Sequence, residues 1–528
     1  MGYSEYDAEL TTSKSAVADL QDQELLANIG YKQELKRSFS LLSMIGFCFS
    51  ILTCWGALAG SLAEIFANGG PAVLIFGWIG CCFFTLFVVA ILAELCSAYP
   101  VAGGQYSWIL LLSKDTKWGR SISYICGWVQ TTGILGMVAV GWYQFGLYLN
   151  AMISLTHPNY VASNWKTALF AYAAGSVALF IDVFGLKILH YLAACALWWQ
   201  ICGFIMCTVT ILACAPKFQS ADFVFTSSVE GGWTNLGMSV IVGLMQPAFG
   251  MCTYDSVAHL SEETNDAAKQ CPRAMFLSIF IGFFTGLGFM LALLFCVQDL
   301  DAVIESPHGL PLLEIFYQAT SNKAGAICLL MISFGCQVFT NISLLTEGSR
   351  AVYAFARDGA FPFKLNKYLQ YVHPVLDVPI WALVFSFVVP AALVAMLFGS
   401  SVAFFTVLSI ASTGLYASYL MPVVVYLFKS KNKAPGYYNL GKWGPWIAVP
   451  AVFYLLFCVI FFFFPTDVPS TGSTMNYCVV AFGIMAIFAI ISWWGGARKT
   501  YIRSVSVLEG EEVIEELQQD KEIDEKKS

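Results

Sequence analysis

Apolar stretches of membrane-spanning length follow one another along almost the whole chain. They lie near 40–67, 71–97, 121–152, 165–186, 189–215, 235–260, 274–298, 324–352, 378–400, 402–428, 445–465 and 475–496. A helix needs about 20 apolar residues to cross the hydrocarbon of a bilayer, and each stretch meets that length. From Ala274 to Gln298 there is no charged residue at all. The polar connections are short, so the pattern predicts an all-α polytopic membrane protein of about twelve transmembrane helices. It predicts one membrane domain over 39–497, a polar tail over 1–38 and a charged tail over 498–528.

Two of the predicted helices carry internal breaks. The sixth reads Val242-Gly-Leu-Met-Gln246-Pro247-Ala-Phe249-Gly250, then Met251-Cys-Thr253-Tyr254-Asp255-Ser-Val-Ala-His259-Leu-Ser261-Glu262-Glu263. Pro247 removes a backbone donor and is bracketed by glycines, which favours unwinding. The first reads Ser50-Ile-Leu-Thr53-Cys54-Trp55-Gly56-Ala57-Leu-Ala59-Gly60, rich in small and polar residues. Each has a plainer reading, a proline kink in one case and a close helix-packing face in the other. The pair is more informative than either alone. The breaks fall five spans apart, at corresponding positions of two five-span halves, the arrangement that points to a binding site on an inverted repeat.

Charge fixes the expected orientation. The residues Lys114, Lys117, Arg120, Lys187, Lys269, Arg273, Arg350, Arg357, Lys364, Lys367, Lys429, Lys431, Lys433 and Lys442 gather in loops on one side, against Lys166, Lys217 and Lys323 on the other. Positive loops stay in the cytosol, so both tails are expected there, most simply at the plasma membrane. The first 38 residues are polar, with no cleavable leader, so the first span should direct insertion. At 58% hydrophobic and 12% charged, the chain carries about half the charge of a soluble domain. Most of its 17 cysteines sit in apolar runs, where they act as small hydrophobes. No metal-ligand spacing, phosphate loop or nucleophile–base motif stands out, so no enzyme, cofactor or nucleic-acid partner is expected. Asn341-Ile342-Ser343 matches a glycosylation triplet but lies inside a span.

Four ordered motifs carry a family resemblance. The segment Ala93-Glu94-Leu95-Cys-Ser97-Ala-Tyr99-Pro100-Val-Ala-Gly103-Gly104-Gln105-Tyr106-Ser-Trp108 resembles the signature after the second span of amino acid–polyamine–organocation (APC) transporters. Gly30-Tyr31-Lys32-Gln33-Glu34-Leu35-Lys36-Arg37, Tyr254 to Glu263, and Ser349-Arg350 through Arg357-Asp358-Gly359-Ala360-Phe-Pro362 are similar to the amino acid/choline transporter branch. That branch includes fungal permeases for GABA, choline and related amines. The resemblance implies ten core helices in two inverted repeats, two peripheral helices, and alternating access about the breaks. It places those breaks at Thr53–Ala57 and Gln246–Gly250. Phe249 stands where many relatives have tryptophan. The fifth span lacks the lysine that some superfamily members use in place of sodium.

Roles follow from physical chemistry. Free N–H groups along Thr53, Cys54, Trp55, Gly56 and Ala57 suit a substrate carboxylate. Carbonyls near Gln246 and Gly250, with the faces of Trp55, Phe249 and Tyr254, suit an ammonium. Asp255 is a carboxylate inside a span, expensive and by default functional; it is the candidate for proton coupling, with a bracing role for the sixth span as the alternative. Glu94, Glu262, Arg350 and Arg357 are gate or structural candidates. His259 with Glu262 and Glu263 reads as a gate or surface cluster rather than a metal site, and Asp182 and Lys187 as interfacial. The function expected is proton-coupled import of a small amine or amino acid such as GABA or choline. The alternatives are a polyamine or vitamin-precursor permease, an exporter, or a non-transporting nutrient sensor.

Overall fold

The computed structural model describes residues 22–52, 54–56, 62–229, 233, 235–362, 364–398, 403–465, 468–471 and 475–501. Thr53 and Ala57 therefore lie outside the described residues. The described chain is helical, and its only sheet-like feature is an isolated parallel bridge between Phe39 and Thr264.

Among the described residues, ten helices are long and apolar enough to span a membrane: α2 (Gly70–Ala98), α3 (Gly119–Thr156), α4 (Asn164–Phe184), α5 (Leu186–Cys214), α7 (Ala267–Cys296), α8 (Lys323–Arg357), α9 (Ile380–Phe398), α10 (Thr406–Asn432), α11 (Gly441–Phe461) and α12 (Cys478–Thr500). Two shorter apolar helices, α1 (Leu41–Leu52) and α6 (Leu236–Phe249), complete the expected twelve. They are short because both are interrupted. Each opens one of two five-helix halves, and α11 and α12 stand outside.

Burial sorts the helices. The most apolar window of α3 is 89% buried, whereas that of α12 is 11% buried. Helix α3 is thus the central post, and α12 presents Ile484, Ile487 and Ile490 outward, as lipid contact requires. Because lipid is as apolar as leucine, helices in a membrane associate by close packing. A β-carbon on Gly414 of α10 would lie 2.7 Å from the Gly133 Cα of α3, so the two backbones touch.

One end of the bundle carries the basic loops, and the described segments 22–39 and 498–501 pack against it. Residues 22–29 form a helical turn system there, and Ser38 and Phe39 donate backbone N–H groups to the Glu263 carbonyl. Arg37 pairs with Asp22 at 2.8 Å and donates to the Thr264 carbonyl. Tyr501 is fully buried and shares a hydrogen bond with Ser123.

Candidate functional site

Helix α1 stops at Leu52, Cys54 to Gly56 form a turn, and helix resumes over Leu62–Ala67. Helix α6 runs to Phe249 and gives way to non-helical chain, in which Thr253 adopts a left-handed φ of 68°. A single turn Ser256–His259 and a 3-10 turn Ser261–Glu263 follow before α7. The sixth-span break is thus at 250–255, one turn beyond the expected Gln246–Gly250. The reason lies in Pro247, which occupies the first turn of the short Met245–Phe249 helix, where a missing N–H is cheap. It does not end the Met245–Phe249 helix.

Backbone freed by a break must find partners inside a membrane. Here hydroxyls and thiols supply them. The Tyr416 hydroxyl donates to the Ala248 carbonyl at 2.8 Å, Tyr148 to the Gly56 carbonyl, and the Cys54 and Cys48 thiols to the carbonyls of Gly250 and Tyr254. The Thr253 N–H donates to the Tyr419 hydroxyl at 3.1 Å.

Between the breaks lies a small cavity. Its walls are Ile51 and Leu52 of α1, Met137, Val140, Gly141 and Gln144 of α3, Phe249, Gly250, Cys252 and Thr253 at the sixth-span break, and Thr340 and Leu344 of α8. It leaves ≈ 20 Å³ for water centres, room for about one water molecule. Of the residues expected at the site, Phe249 and Gly250 line this cavity. Cys54, Trp55, Gly56, Gln246 and Tyr254 do not. Trp55 turns its buried ring edge-on to Phe289, at 5.3 Å between centroids, and Tyr254 lies against Tyr419 at 5.1 Å. The walls from α3 and α8 escaped the sequence reading; the only signal for them was scattered small and polar residues in otherwise apolar helices.

Below the cavity sits a buried polar cluster. Asp255 is fully buried and accepts hydrogen bonds from the Gln105 amide and the Tyr419 hydroxyl. His259 Nε2 lies 3.5 Å from Asp255 Oδ2. His259 Nδ1 faces the Ala102 carbonyl at 2.8 Å, so it carries the ring proton. Nε2 is then left between the Gln130 amide at 3.2 Å and Asp255. Glu347 of α8 completes the group: one ligand atom from each of Asp255, His259 and Glu347 lies within 4.8 Å of the others. Sequence reasoning missed Glu347, because its partners are on a different span.

Nearer the basic end, two buried ion pairs join α8 to the segment after the break. Arg357 grips Glu262 with two bonds of 2.8 Å, and Arg350 Nε donates to Glu263 at 2.6 Å. Glu262 also accepts from the Ala102 N–H at 3.0 Å, which ties in the loop after α2. Burial pushes the Glu262 carboxyl up, but the Arg357 guanidinium and its hydrogen bonds outweigh this, and the group ends below its ordinary value. Asp358 accepts from Tyr106 at 2.8 Å and Tyr31 at 3.2 Å; burial dominates there and raises it to about 6. Glu94 accepts from Tyr426 and the Leu440 N–H, with Lys433 at 3.3 Å.

Two expectations are corrected. His259, Glu262 and Glu263 are not a surface cluster: all three are buried, because each has a specific polar partner. Asp182 is not interfacial: it is 3% exposed and accepts from Thr346 at 2.9 Å. Lys187, by contrast, is exposed.

The sequence is also similar to known proteins. The family model for amino acid permeases matches residues 39–490. A protein of Macrophomina phaseolina with the provisional name amino acid/polyamine transporter is 42% identical over 443 residues, 83% of this chain and 97% of that one. The choline transporter of Saccharomyces cerevisiae is 33% identical over 474 residues, 88% of this chain and 83% of its own. The GABA-specific permease of the same yeast is 31% identical over 491 residues, 90% and 84% of the two chains.

Proposed function

This chain belongs to the amino acid permease family, a transporter rather than an enzyme, and from that premise we propose that it imports a small amine or amino acid of the choline or GABA class together with a proton. The observation that carries the reading is Asp255: a fully buried carboxylate at the sixth-span break, under the cavity between the two broken helices. Substrate binds between the breaks, where Phe249 and Gly250 already form part of the wall. The turn Cys54–Gly56 at the first break offers its backbone N–H groups to a carboxylate where the substrate has one. Carbonyls of the sixth-span break and aromatic faces take the ammonium.

The cavity is too small for such a substrate, so the described conformation is a closed one and transport alternates the access of this site. The basic end faces the cytosol, so the tails 1–38 and 498–528 belong to the cytosolic side, and the plasma membrane is the site of action. The pairs Glu262–Arg357 and Glu263–Arg350 form the cytosolic gate. A proton entering down the membrane potential contributes about 2.3 kcal/mol per 100 mV. No carboxylate is among the residues lining the cavity, which weighs against a polyamine, whose several cationic centres need acidic partners.

The test is uptake of radiolabelled choline and GABA into vesicles bearing the protein, with and without an imposed inward pH gradient. Uptake of one should rise with the gradient, and Asp255→Asn should abolish that rise. Uptake of neither by well-folded protein would discard the reading in favour of an exporter, another substrate or a sensor.

A further inference from the structure

Glu347 is the one member of the buried cluster whose carboxyl oxygens both lack a hydrogen-bond partner, although the residue is 1% exposed. Its neighbours explain where a proton should sit. Asp255, the nearest carboxylate, accepts hydrogen bonds from the Gln105 amide and the Tyr419 hydroxyl; these donors suit an anion. Glu347 has none of them. Two ionised carboxylates this close in a protein interior repel strongly, and an unpaired buried charge costs several kcal/mol. A single proton on the member without donors removes both penalties.

Among the described residues, the surroundings offer no other counter-charge. The Cys48 thiol of α1 and the Cys252 thiol of the break lie within electrostatic reach of Glu347, and neither is cationic. Along α8 itself, Thr346 is engaged by Asp182 of α4, and Arg350, one turn on, is committed to Glu263. His259 remains, and its Nε2 stands between a donor, the Gln130 amide, and the acceptor Asp255. It can accept a proton and pass it on.

We propose that Glu347 is the carboxyl that holds the transported proton in the closed state, with Asp255 as its ionised partner and His259 as the relay between them. When the cytosolic gate opens, the Glu347 O–H bond breaks. The proton passes by way of His259 Nε2 to water and leaves a carboxylate, which regains a proton when the outer side opens. This assignment rests on the proton-coupled reading above for its role, but the place of the proton is measurable without substrate.

The experiment is infrared spectroscopy of the purified full-length protein near neutral pH, in the carbonyl-stretch region of protonated carboxylic acids. The wild-type protein should show absorption there, a component of which Glu347→Gln removes and Asp255→Asn retains. Glu347→Asp keeps an acid at the site and should shift the band, so it serves if the glutamine variant does not fold. A band that survives Glu347→Gln unchanged, or that is lost only in Asp255→Asn, overturns the proposal. Uptake of labelled choline and GABA into proteoliposomes under a pH gradient is measured alongside. A wild-type protein with the Glu347 band that moves neither compound refutes the import of choline or GABA proposed above and leaves the proton assigned. A Glu347→Gln protein whose uptake still follows the pH gradient refutes Glu347 as the coupling carboxyl.

Discussion

Breaking the Glu262–Arg357 pair should open the basic end of the transporter, and the structure sets the size of the effect. Glu262 is 1% exposed and receives three hydrogen bonds, two from the Arg357 guanidinium and one from the Ala102 N–H. In Arg357→Gln the carboxylate keeps its backbone donor but loses its counter-charge. Removing one partner of a buried ion pair costs about 3–5 kcal/mol. That cost applies only while the end is closed, since Glu262 is hydrated once it opens. At about 1.4 kcal/mol per factor of ten, the lower figure raises the open population about 100-fold. Cys252 reports this population, because it lines the cavity directly behind the gate and is 3% exposed when the gate is closed. The assay is the rate at which a membrane-impermeant thiol reagent, applied to the side bearing the basic loops, modifies Cys252 as read by mass spectrometry. Arg357→Gln should accelerate it by about two orders of magnitude. The double variant Glu262→Gln/Arg357→Gln removes the stranded charge and should fall back toward the wild-type rate. A folded Arg357→Gln protein with an unchanged rate would show that the pair does not hold the end shut.

The remaining predictions concern stability. Asp358 is raised from 3.8 to about 6 by burial, so its contribution is fully present below the unfolded value and lost as pH rises through about 6. Two pKa steps correspond to about 3 kcal/mol. Asp358→Asn should therefore melt higher than wild type in detergent above that pH, with the advantage vanishing below it. Glu262, lowered by Arg357, has the opposite sign but is common to both proteins; an advantage that grows on acidification would contradict the assignment. Gly414→Ala would place a β-carbon 2.7 Å from the Gly133 Cα, backbone that cannot swing aside. Overpacking of this kind costs about 1–3 kcal/mol, and an undiminished melting temperature would mean that α3 and α10 are free to part.

The spans were legible because a bilayer imposes a strict length and excludes charge, and both constraints show in single-residue patterns. Even the breaks could be read, though the second was placed a turn early. Pro247 is visible in sequence, but its position in the first turn of a short helix is not, and the residue that departs from helix is Thr253. Single charged residues were found where a span is expected to hold none, as with Asp255. Pairings across spans were not. Glu347 follows Thr346 in a stretch with Arg350 nearby, and nothing in that stretch tells that Arg350 is committed to Glu263 while Glu347 faces Asp255. Asp182 looked interfacial because it sits near the end of α4, and the Thr346 hydroxyl that holds it lies 164 residues away.

In the role of cytosolic gate proposed for these ion pairs, their placement explains how such a gate can be firm and still open. Helix α8 meets the broken helices at successive levels: Thr340 and Ser343 bond to Ser50 of α1, Glu347 faces Asp255, and Arg350 and Arg357 hold Glu263 and Glu262. The upper contacts are hydroxyl bonds that fix α1 to α8 in register. The lower ones are charged. An apolar gate of the same size would resist opening by the full cost of wetting its surface. A buried ion pair is different, since its attraction is nearly repaid by hydration when the partners separate, and its net worth lies close to zero. Such a gate has a defined closed geometry without a deep energy well. The balance then falls to whatever changes charge nearby, and the cluster of Asp255, His259 and Glu347 sits one helical turn from Arg350 on one side and against the substrate cavity on the other. In the proposed mechanism a proton gained or lost there alters the field at the Glu262–Arg357 and Glu263–Arg350 pairs and at the cavity wall together.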